Sequence, residues 1–91
     1  MSDIFITRAP KLAARKVGGE MVILNAEDSS LYVLNGVGTA IWEAADGRTP
    51  LTAIVDSICT EYDVDREAAL RDAREFIADL VGHGVLREVP V

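Results

Sequence analysis

In the first third of the chain, short hydrophobic runs with the residue types of β-strands are separated by polar turn residues. Residues 13–17, 20–25 and 30–34 are short, largely apolar segments bounded by turn residues, a pattern typical of strands. Gly18-Gly19 predicts a two-residue hairpin loop, because both glycines accept positive φ. The run Met21-Val22-Ile23-Leu24 is apolar on both faces, which predicts a central strand covered on more than one side. We therefore predict an antiparallel meander with two open edges.

From residue 36 the period changes to about 3.6 residues, which indicates helices. The first predicted helix ends at Gly47, and the second begins with Thr49 as N-cap and Pro50 as first residue. Asp65 is the predicted N-cap of a third helix that ends in the stretch 82–84, after which Val85 and Leu86 fold back onto the core. The three apolar stripes are Val37, Ala40, Ile41 and Ala44; Leu51, Ile54, Val55, Ile58, Cys59 and Tyr62; and Ala69, Ala73, Phe76, Ile77 and Leu80.

These elements predict an α+β fold of winged-helix-like layout, in which an N-terminal three-stranded antiparallel sheet is followed by a three-helix bundle. Pro10 and sparse periodicity predict that residues 1–10 form a tail without regular structure, although Ile4, Phe5 and Ile6 could pair or pack. Residues 11–91 are predicted to form one domain, because a chain of 91 residues is below the length at which chains usually divide.

The composition favours a globular protein, with 49% hydrophobic and 26% charged residues. No apolar run approaches the roughly 20 residues that a membrane span needs, so we expect no membrane partner. The residues Met1-Ser2-Asp3-Ile4-Phe5 lack the features of a signal peptide. A single cysteine, Cys59, excludes an internal disulfide and favours a reducing compartment. The predicted location is therefore cytoplasmic.

The formal net charge of −6 argues against nucleic acid as a partner, because binders of nucleic acid rely on basic patches. The alternative of a winged-helix transcription regulator that binds DNA stays open, since a local basic face is compatible with an acidic chain. Its recognition helix would carry Arg66, Arg71 and Arg74 among the acidic residues Asp65, Glu67, Asp72, Glu75 and Asp79. A basic peptide or protein partner suits the charge better.

No constellation for catalysis or metal binding is visible. Cys59 lies on a helix stripe without an adjacent base, so we expect it to pack as a small hydrophobe. His83 stands alone between two glycines at a helix end, where an interaction with the helix dipole is expected. One histidine and one cysteine make a poor zinc set. We therefore predict a protein that is not an enzyme and has no catalytic residues, metal site or cofactor.

The order and spacing of several segments resemble the PqqD family, over roughly residues 12–88. The first block is Leu31-Tyr32-Val33-Leu34-Asn35-Gly36-Val37-Gly38-Thr39-Ala40-Ile41-Trp42, followed by Asp46-Gly47-Arg48-Thr49. The second block comprises Ile54-Val55, Tyr62-Asp63-Val64-Asp65, Phe76-Ile77-Ala78-Asp79-Leu80 and Gly84-Val85-Leu86. The resemblance implies a non-enzymatic recognition element that binds the precursor or leader peptide of a ribosomally made peptide product. It also implies presentation of that peptide to a modifying enzyme, such as the radical-SAM protein of pyrroloquinoline quinone (PQQ) synthesis.

In that family the peptide is added as an extra strand beside the third strand, against the third helix. The matching strand here contributes Leu31, Tyr32, Val33 and Leu34, whose side chains alternate across the sheet. Off the core stripe of the third helix lie Leu70, Arg71, Arg74 and Ala78, of which the last three share a face. We predict that these eight residues bind the peptide, with Arg74 pairing an acidic side chain and Ala78 leaving room for an apolar one. The open edges also leave a homodimer by strand exchange as an alternative.

Overall fold

The computed structural model describes residues 3–90, in which six strands and three helices are present. Their order is β1 (Phe5–Arg8), β2 (Leu12–Val17), β3 (Glu20–Asn25), β4 (Ser30–Leu34), α1 (Gly36–Ala44), β5 (Asp46–Pro50), α2 (Leu51–Glu61), α3 (Arg66–Gly82) and β6 (Leu86–Glu88). The predicted α+β class is confirmed. Instead of one sheet, however, the described residues contain two antiparallel three-stranded sheets.

The first sheet, which we call the meander sheet, has the order β2-β3-β4. Its three strands lie where the hydrophobic pattern predicts them, and β3 is central as expected. Gly18 and Gly19 form the two-residue loop, with φ values of 58° and 86° that side chains rarely adopt. The register pairs Met21 with Leu34 and Ile23 with Tyr32. Because directly opposed residues share a face, these four side chains point the same way, toward the helices.

The prediction that β3 is covered on both faces is wrong. Met21 and Ile23 are buried in the core, but Leu24 keeps 42% of its surface exposed. The helices cover only the inner face of the meander sheet, and no described element lies over the outer face. An apolar run is compatible with one covered face as well as with two, so the pattern could not distinguish these cases.

The prediction that residues 1–10 form an irregular tail is also wrong for the described part; residues 1, 2 and 91 lie outside the described residues. Strand β1 is the centre of the second sheet, which has the order β5-β1-β6 and which we call the terminal sheet. Ile6 is completely buried in the common core. The strand is only four residues long, and both of its partners are short strands remote in sequence, so no local periodicity could reveal it.

The segment between α1 and α2 is a strand rather than a helix-to-helix turn. Helix α1 ends at Ala44, before the predicted stop at Gly47, and α2 begins at Leu51 with Pro50 as N-cap instead of Thr49. Asp46 organises the segment, because its carboxylate accepts hydrogen bonds from the backbone N–H groups of Arg48 and Thr49, both at 2.8 Å. These hydrogen bonds hold the pKa of Asp46 below its usual value, and the bond from Arg48 has the largest effect.

The apolar stripes of α2 and α3 are confirmed. Leu51, Ile54, Val55 and Ile58 of α2 are buried, as are Ala73, Ile77 and Leu80 of α3. Asp65 is the N-cap of α3 as predicted, since its carboxylate accepts a hydrogen bond from the N–H of Ala68 at 3.1 Å. Val85 and Leu86 return to the core, with 0% and 1% exposure. None of the helices in the described part of the chain is long and apolar enough to cross a membrane.

We predict that Ile6→Ala lowers the free energy of unfolding by about 2–5 kcal/mol, because it leaves a cavity in the core under the terminal sheet. Val17→Ala is the matched control, since Val17 is also an aliphatic strand residue but is 55% exposed. The control should change the free energy of unfolding by less than about 0.5 kcal/mol. Urea denaturation followed by circular dichroism measures both values. Equal effects of the two substitutions would contradict the structural role assigned to β1.

Candidate functional site

Strand β4 is an edge of the meander sheet, as predicted, and carries no charged side chain. The opposite edge, β2, carries Arg15 and Lys16, and charges of this kind protect an exposed edge from pairing with another chain. Within residues 3–90, β4 pairs only with β3. An uncharged, apolar edge strand is therefore left open to a further strand.

The hydrogen-bonding groups at this edge follow from the hairpin geometry. The two-residue loop at Gly18-Gly19 closes with a hydrogen-bonded pair between Val17 and Glu20, and hydrogen-bonded pairs alternate along an antiparallel ladder. Residues 21, 23 and 25 of β3 therefore direct their backbone groups toward β4. Along β4 the same alternation leaves the N–H and C=O groups of Leu31 and Val33 facing the open edge.

Both ends of β4 are held in place by side chains. At its start, the Asp28 carboxylate accepts hydrogen bonds from the hydroxyl and the N–H of Ser30, and the hydroxyl bond in particular lowers the pKa of Asp28. At its end, Thr39 donates a hydrogen bond through Oγ1 to the carbonyl of Leu34 at 3.1 Å. Asn35 then caps α1 by accepting a hydrogen bond from the N–H of Gly38 at 2.8 Å. The edge is thus fixed before any partner arrives.

A cavity of about 560 Å³ opens directly beyond the end of β4, next to Asn35. It lies between the start of α1, the end of α2 and the N-terminal half of α3. Its larger apolar walls are Val37, Ile41, Ile58, Val64 and Phe76. Helix α3 adds Ala68, Ala69 and Ala73, whose small side chains leave the space open, and two carboxylates, Asp65 and Asp72. A cavity of this size and lining suits a bulky apolar side chain.

One wall of the cavity depends on a close approach between α1 and α3. A methyl group placed on Gly38 would lie 3.0 Å from Cζ of Phe76, so a larger residue would push the ring away. Gly38 itself is buried in the first turn of α1. The absence of a side chain at position 38 therefore sets the position of the Phe76 ring beside the cavity.

The eight residues predicted to bind a peptide fall into two groups. On β4, Leu31 and Val33 are exposed on the outer face, Tyr32 is half-buried and Leu34 is buried. The side chain of Leu34 is therefore committed to the core. Tyr32 packs against the core, with its ring centroid 5.6 Å from that of His83 just after α3. His83, for which only an interaction with the helix dipole was predicted, therefore contacts the edge strand.

The four predicted residues of α3 do not line the cavity beside β4. Leu70 packs against the core, and Arg71, Arg74 and Ala78 are exposed. The pKa of Asp3 is lowered, mainly because Thr52 donates a hydrogen bond to its carboxylate. The positive charge of Arg74 adds a smaller effect in the same direction. The residues of α3 that line the cavity instead include Ala68, Asp72 and Phe76, which are spaced four residues apart on one face. The role of the eight residues in binding stays a prediction.

The sequence pattern predicts Asp65 as a cap and Phe76 on a core stripe; Asp65 is the N-cap, and Phe76 is half-buried against the core. The pattern does not predict the cavity that these two residues share, because the cavity walls come from three helices whose relative placement no local pattern encodes. One signal was available in the sequence. Ala68, Ala69 and Ala73 cluster on one side of α3, where small residues mark either close packing or open space.

Comparison with solved structures finds the same architecture in two leader-peptide complexes. One is "TbiB1 in Complex with the TbiA(beta) Leader Peptide", with a TM-score of 0.82 and 28% sequence identity over 93% of this chain and 99% of that chain. The other is "Lasso peptide synthetase B1 complexed with the leader peptide", with a TM-score of 0.76 and 21% identity over 93% and 98% of the two chains. The second likeness shows the fold alone. Comparison with curated proteins finds no significant match.

The family model described as "Coenzyme PQQ synthesis protein D (PqqD)" matches residues 20–86. The match begins at β3 and ends at the first residue of β6, so it spans the open edge, the cavity and all three helices. The resemblance seen in the sequence is confirmed, and the chain belongs to the PqqD family.

Proposed function

We propose that this protein is a non-enzymatic leader-peptide recognition element, which binds the precursor of a ribosomally made peptide as an added strand along β4. The observation that carries the proposal is the uncharged open edge of β4 with an apolar cavity at its end. Main-chain pairing supplies affinity for an extended peptide of almost any sequence, and a neighbouring pocket supplies discrimination. Membership of the PqqD family and the likeness to the TbiB1 complex support this function.

If the peptide pairs antiparallel to β4, the position of the cavity determines which part of the peptide meets it. A strand antiparallel to β4 has its N-terminal part beside the C-terminal end of β4, which is next to Asn35 and the cavity. An apolar side chain near the start of the paired segment would then enter the cavity. Asp65 and Asp72 at the same cavity favour a neighbouring lysine or arginine over an acidic residue. The peptide is therefore expected to carry an apolar anchor with a basic neighbour.

The bound peptide would be presented to a modifying enzyme, a radical-SAM protein or another peptide-modifying enzyme. The identity of the precursor determines whether the pathway makes PQQ or another peptide product. A cytoplasmic location would suit such a role, and the single cysteine of the chain, Cys59, favours a reducing compartment. The winged-helix-like layout also suggested DNA binding, but the exposed face of α3 carries Asp72, Glu75 and Asp79 beside its arginines, which disfavours contact with phosphates.

Hydrogen exchange measured by NMR tests the strand addition directly. In the free protein, the amide protons of Leu31 and Val33 should exchange faster than that of Tyr32, because only the Tyr32 amide pairs with β3. A saturating leader peptide from the precursor encoded beside this chain should slow exchange at Leu31 and Val33 by at least about tenfold. Slow exchange at both positions before the peptide is added, or no change after it, would contradict the proposed binding mode.

We predict that Val33→Pro weakens leader binding by about three- to tenfold, because it removes an N–H that pairs with the peptide, worth roughly 0.5–1.5 kcal/mol net. Val33→Ala keeps the N–H and should change the affinity for the leader by less than about twofold. Isothermal titration calorimetry measures both dissociation constants, after thermal unfolding has verified that each variant is folded. Equal affinities of the two variants would show that the Val33 amide does not pair with the peptide.

Two substitutions on α3 decide between the cavity and the helix face predicted from the sequence. Ala68→Phe fills part of the cavity and should weaken leader binding at least about fivefold, since overpacking costs roughly 1–3 kcal/mol. Ala78→Phe adds the same ring on the exposed face of α3 and should leave the affinity within about twofold. Calorimetry with the same peptide gives both values. The reverse ranking would support the face formed by Arg71, Arg74 and Ala78.

A further inference from the structure

The outer face of the meander sheet, on the side away from the helices, carries an apolar patch that the fold does not use. Its members are Val22 and Leu24 on β3 and Leu31 and Val33 on β4, and the register places Val22 opposite Val33 and Leu24 opposite Leu31. Leu31, Val33 and Leu24 are 62%, 57% and 42% exposed. Since opposed residues share a face, the four side chains form one continuous surface, which we call the outer patch.

A continuous apolar surface of this kind requires a different explanation from single exposed hydrophobes. One exposed leucine is ordinary, whereas the solvent face of an antiparallel sheet is normally polar. Contiguous exposed apolar residues mark interaction sites. The core does not need these residues, because Met21, Ile23 and Leu34 fill it from the inner face. The outer patch is therefore a candidate interface.

A peptide strand paired with β4 would enlarge the outer patch. Side chains of a strand alternate between the two faces, so every second residue of the peptide would lie beside Leu31 and Val33. The other residues would point toward the cavity side. The outer surface thus has three strands in the free protein and four in the complex, and the fourth belongs to the peptide.

The charge of the chain disfavours a second copy as the occupant of the outer patch, because two copies would each carry a net charge of −6. The free face of three strands covers only on the order of 200 Å², against roughly 800 Å² per partner in a stable interface, so any partner must extend beyond it. A partner that contacts the domain and the peptide together gains area that neither provides alone.

A positive charge on β2, next to the outer patch, indicates the charge that a partner would carry at this border. Arg15 on β2 lies opposite Val22 on the same face, and within residues 3–90 it forms no ion pair. The neighbouring lysines Lys11 and Lys16 pair with Glu27 and Glu43. A partner surface that is apolar and carries a carboxylate opposite Arg15 would match this border.

We infer that the outer patch, completed by a bound leader strand, is the docking surface for the peptide-modifying enzyme, which would present an apolar surface with a carboxylate facing Arg15. The inference rests on the proposed leader binding. Because the enzyme contacts the peptide as well as the domain, leader and enzyme bind cooperatively. By linkage, the enzyme raises the affinity for the leader by the same factor by which the leader raises the affinity for the enzyme.

Leu24→Lys separates enzyme docking from leader binding. Leu24 lies on the central strand, whose backbone is paired on both sides, so the open edge of β4 is untouched. With the precursor leader and the modifying enzyme encoded beside this chain, the variant should bind leader within about twofold of wild type. It should lose at least about tenfold in affinity for the enzyme in the presence of leader. Val81→Lys is the matched control, with a similar exposure of 37% on α3, and should retain both affinities.

Surface plasmon resonance with immobilised enzyme, with and without saturating leader, gives these values. Arg15→Glu should weaken the leader-dependent enzyme affinity about threefold, because it reverses a charge at the border. Leu24→Thr repeats the test with a residue that favours strands, should Leu24→Lys unfold. Unchanged enzyme affinity in the folded Leu24 variant overturns the inference while leaving leader binding intact. A dimer that sedimentation detects in wild type and not in this variant also overturns it. A wild-type protein that binds no leader refutes the proposed function instead.

Discussion

The pairing of β1 with both β5 and β6 is the contact on which the rest of this structure depends. It joins the start of the chain to the segment between α1 and α2 and to the residues after α3. The N–H of Leu51 donates to the carbonyl of Ile4, and the N–H of Val89 to that of Phe5, both at 2.8 Å. Because α2 starts and α3 ends at this sheet, β1 fixes how these two helices lie against α1. The cavity between the three helices is a result of that placement.

The two edges of the meander sheet show how a small domain can keep one edge closed to other chains and another open. Strand β2 carries Arg15 and Lys16, and these charges hinder pairing with a foreign strand. Strand β4 exposes its backbone over five residues without a charge. Its ends are held by Asp28 and Thr39, so it loses little freedom when a peptide binds. Affinity then depends mostly on the ordering of the peptide.

The elements with strong local signals could be predicted from the sequence, and those defined by distant contacts could not. Gly18-Gly19 and the Asp65 cap marked the meander and the start of α3, because each acts through backbone groups within a few residues. Strands β1 and β5 escaped prediction because each is short and pairs with residues more than thirty positions away. Leu31 to Leu34 were placed correctly at an edge. On α3 the face toward the cavity depends on the rotation of the helix against α1, which the Gly38–Phe76 contact sets.

Both sides of β3 are apolar, so the residues of this strand do not by themselves determine which of its faces turns toward the core. Met21 and Ile23 differ little in hydrophobicity from Val22 and Leu24, so hydrophobicity alone does not select which pair enters the interior. A shift of one residue along the ladder would exchange the two pairs at little energetic penalty from solvation. The selection falls to the loops at either end, Gly18-Gly19 and the turn closed by Ser29, whose left-handed backbones fix the pairing register. These loops, which lie outside the core, therefore determine which face of β3 turns inward.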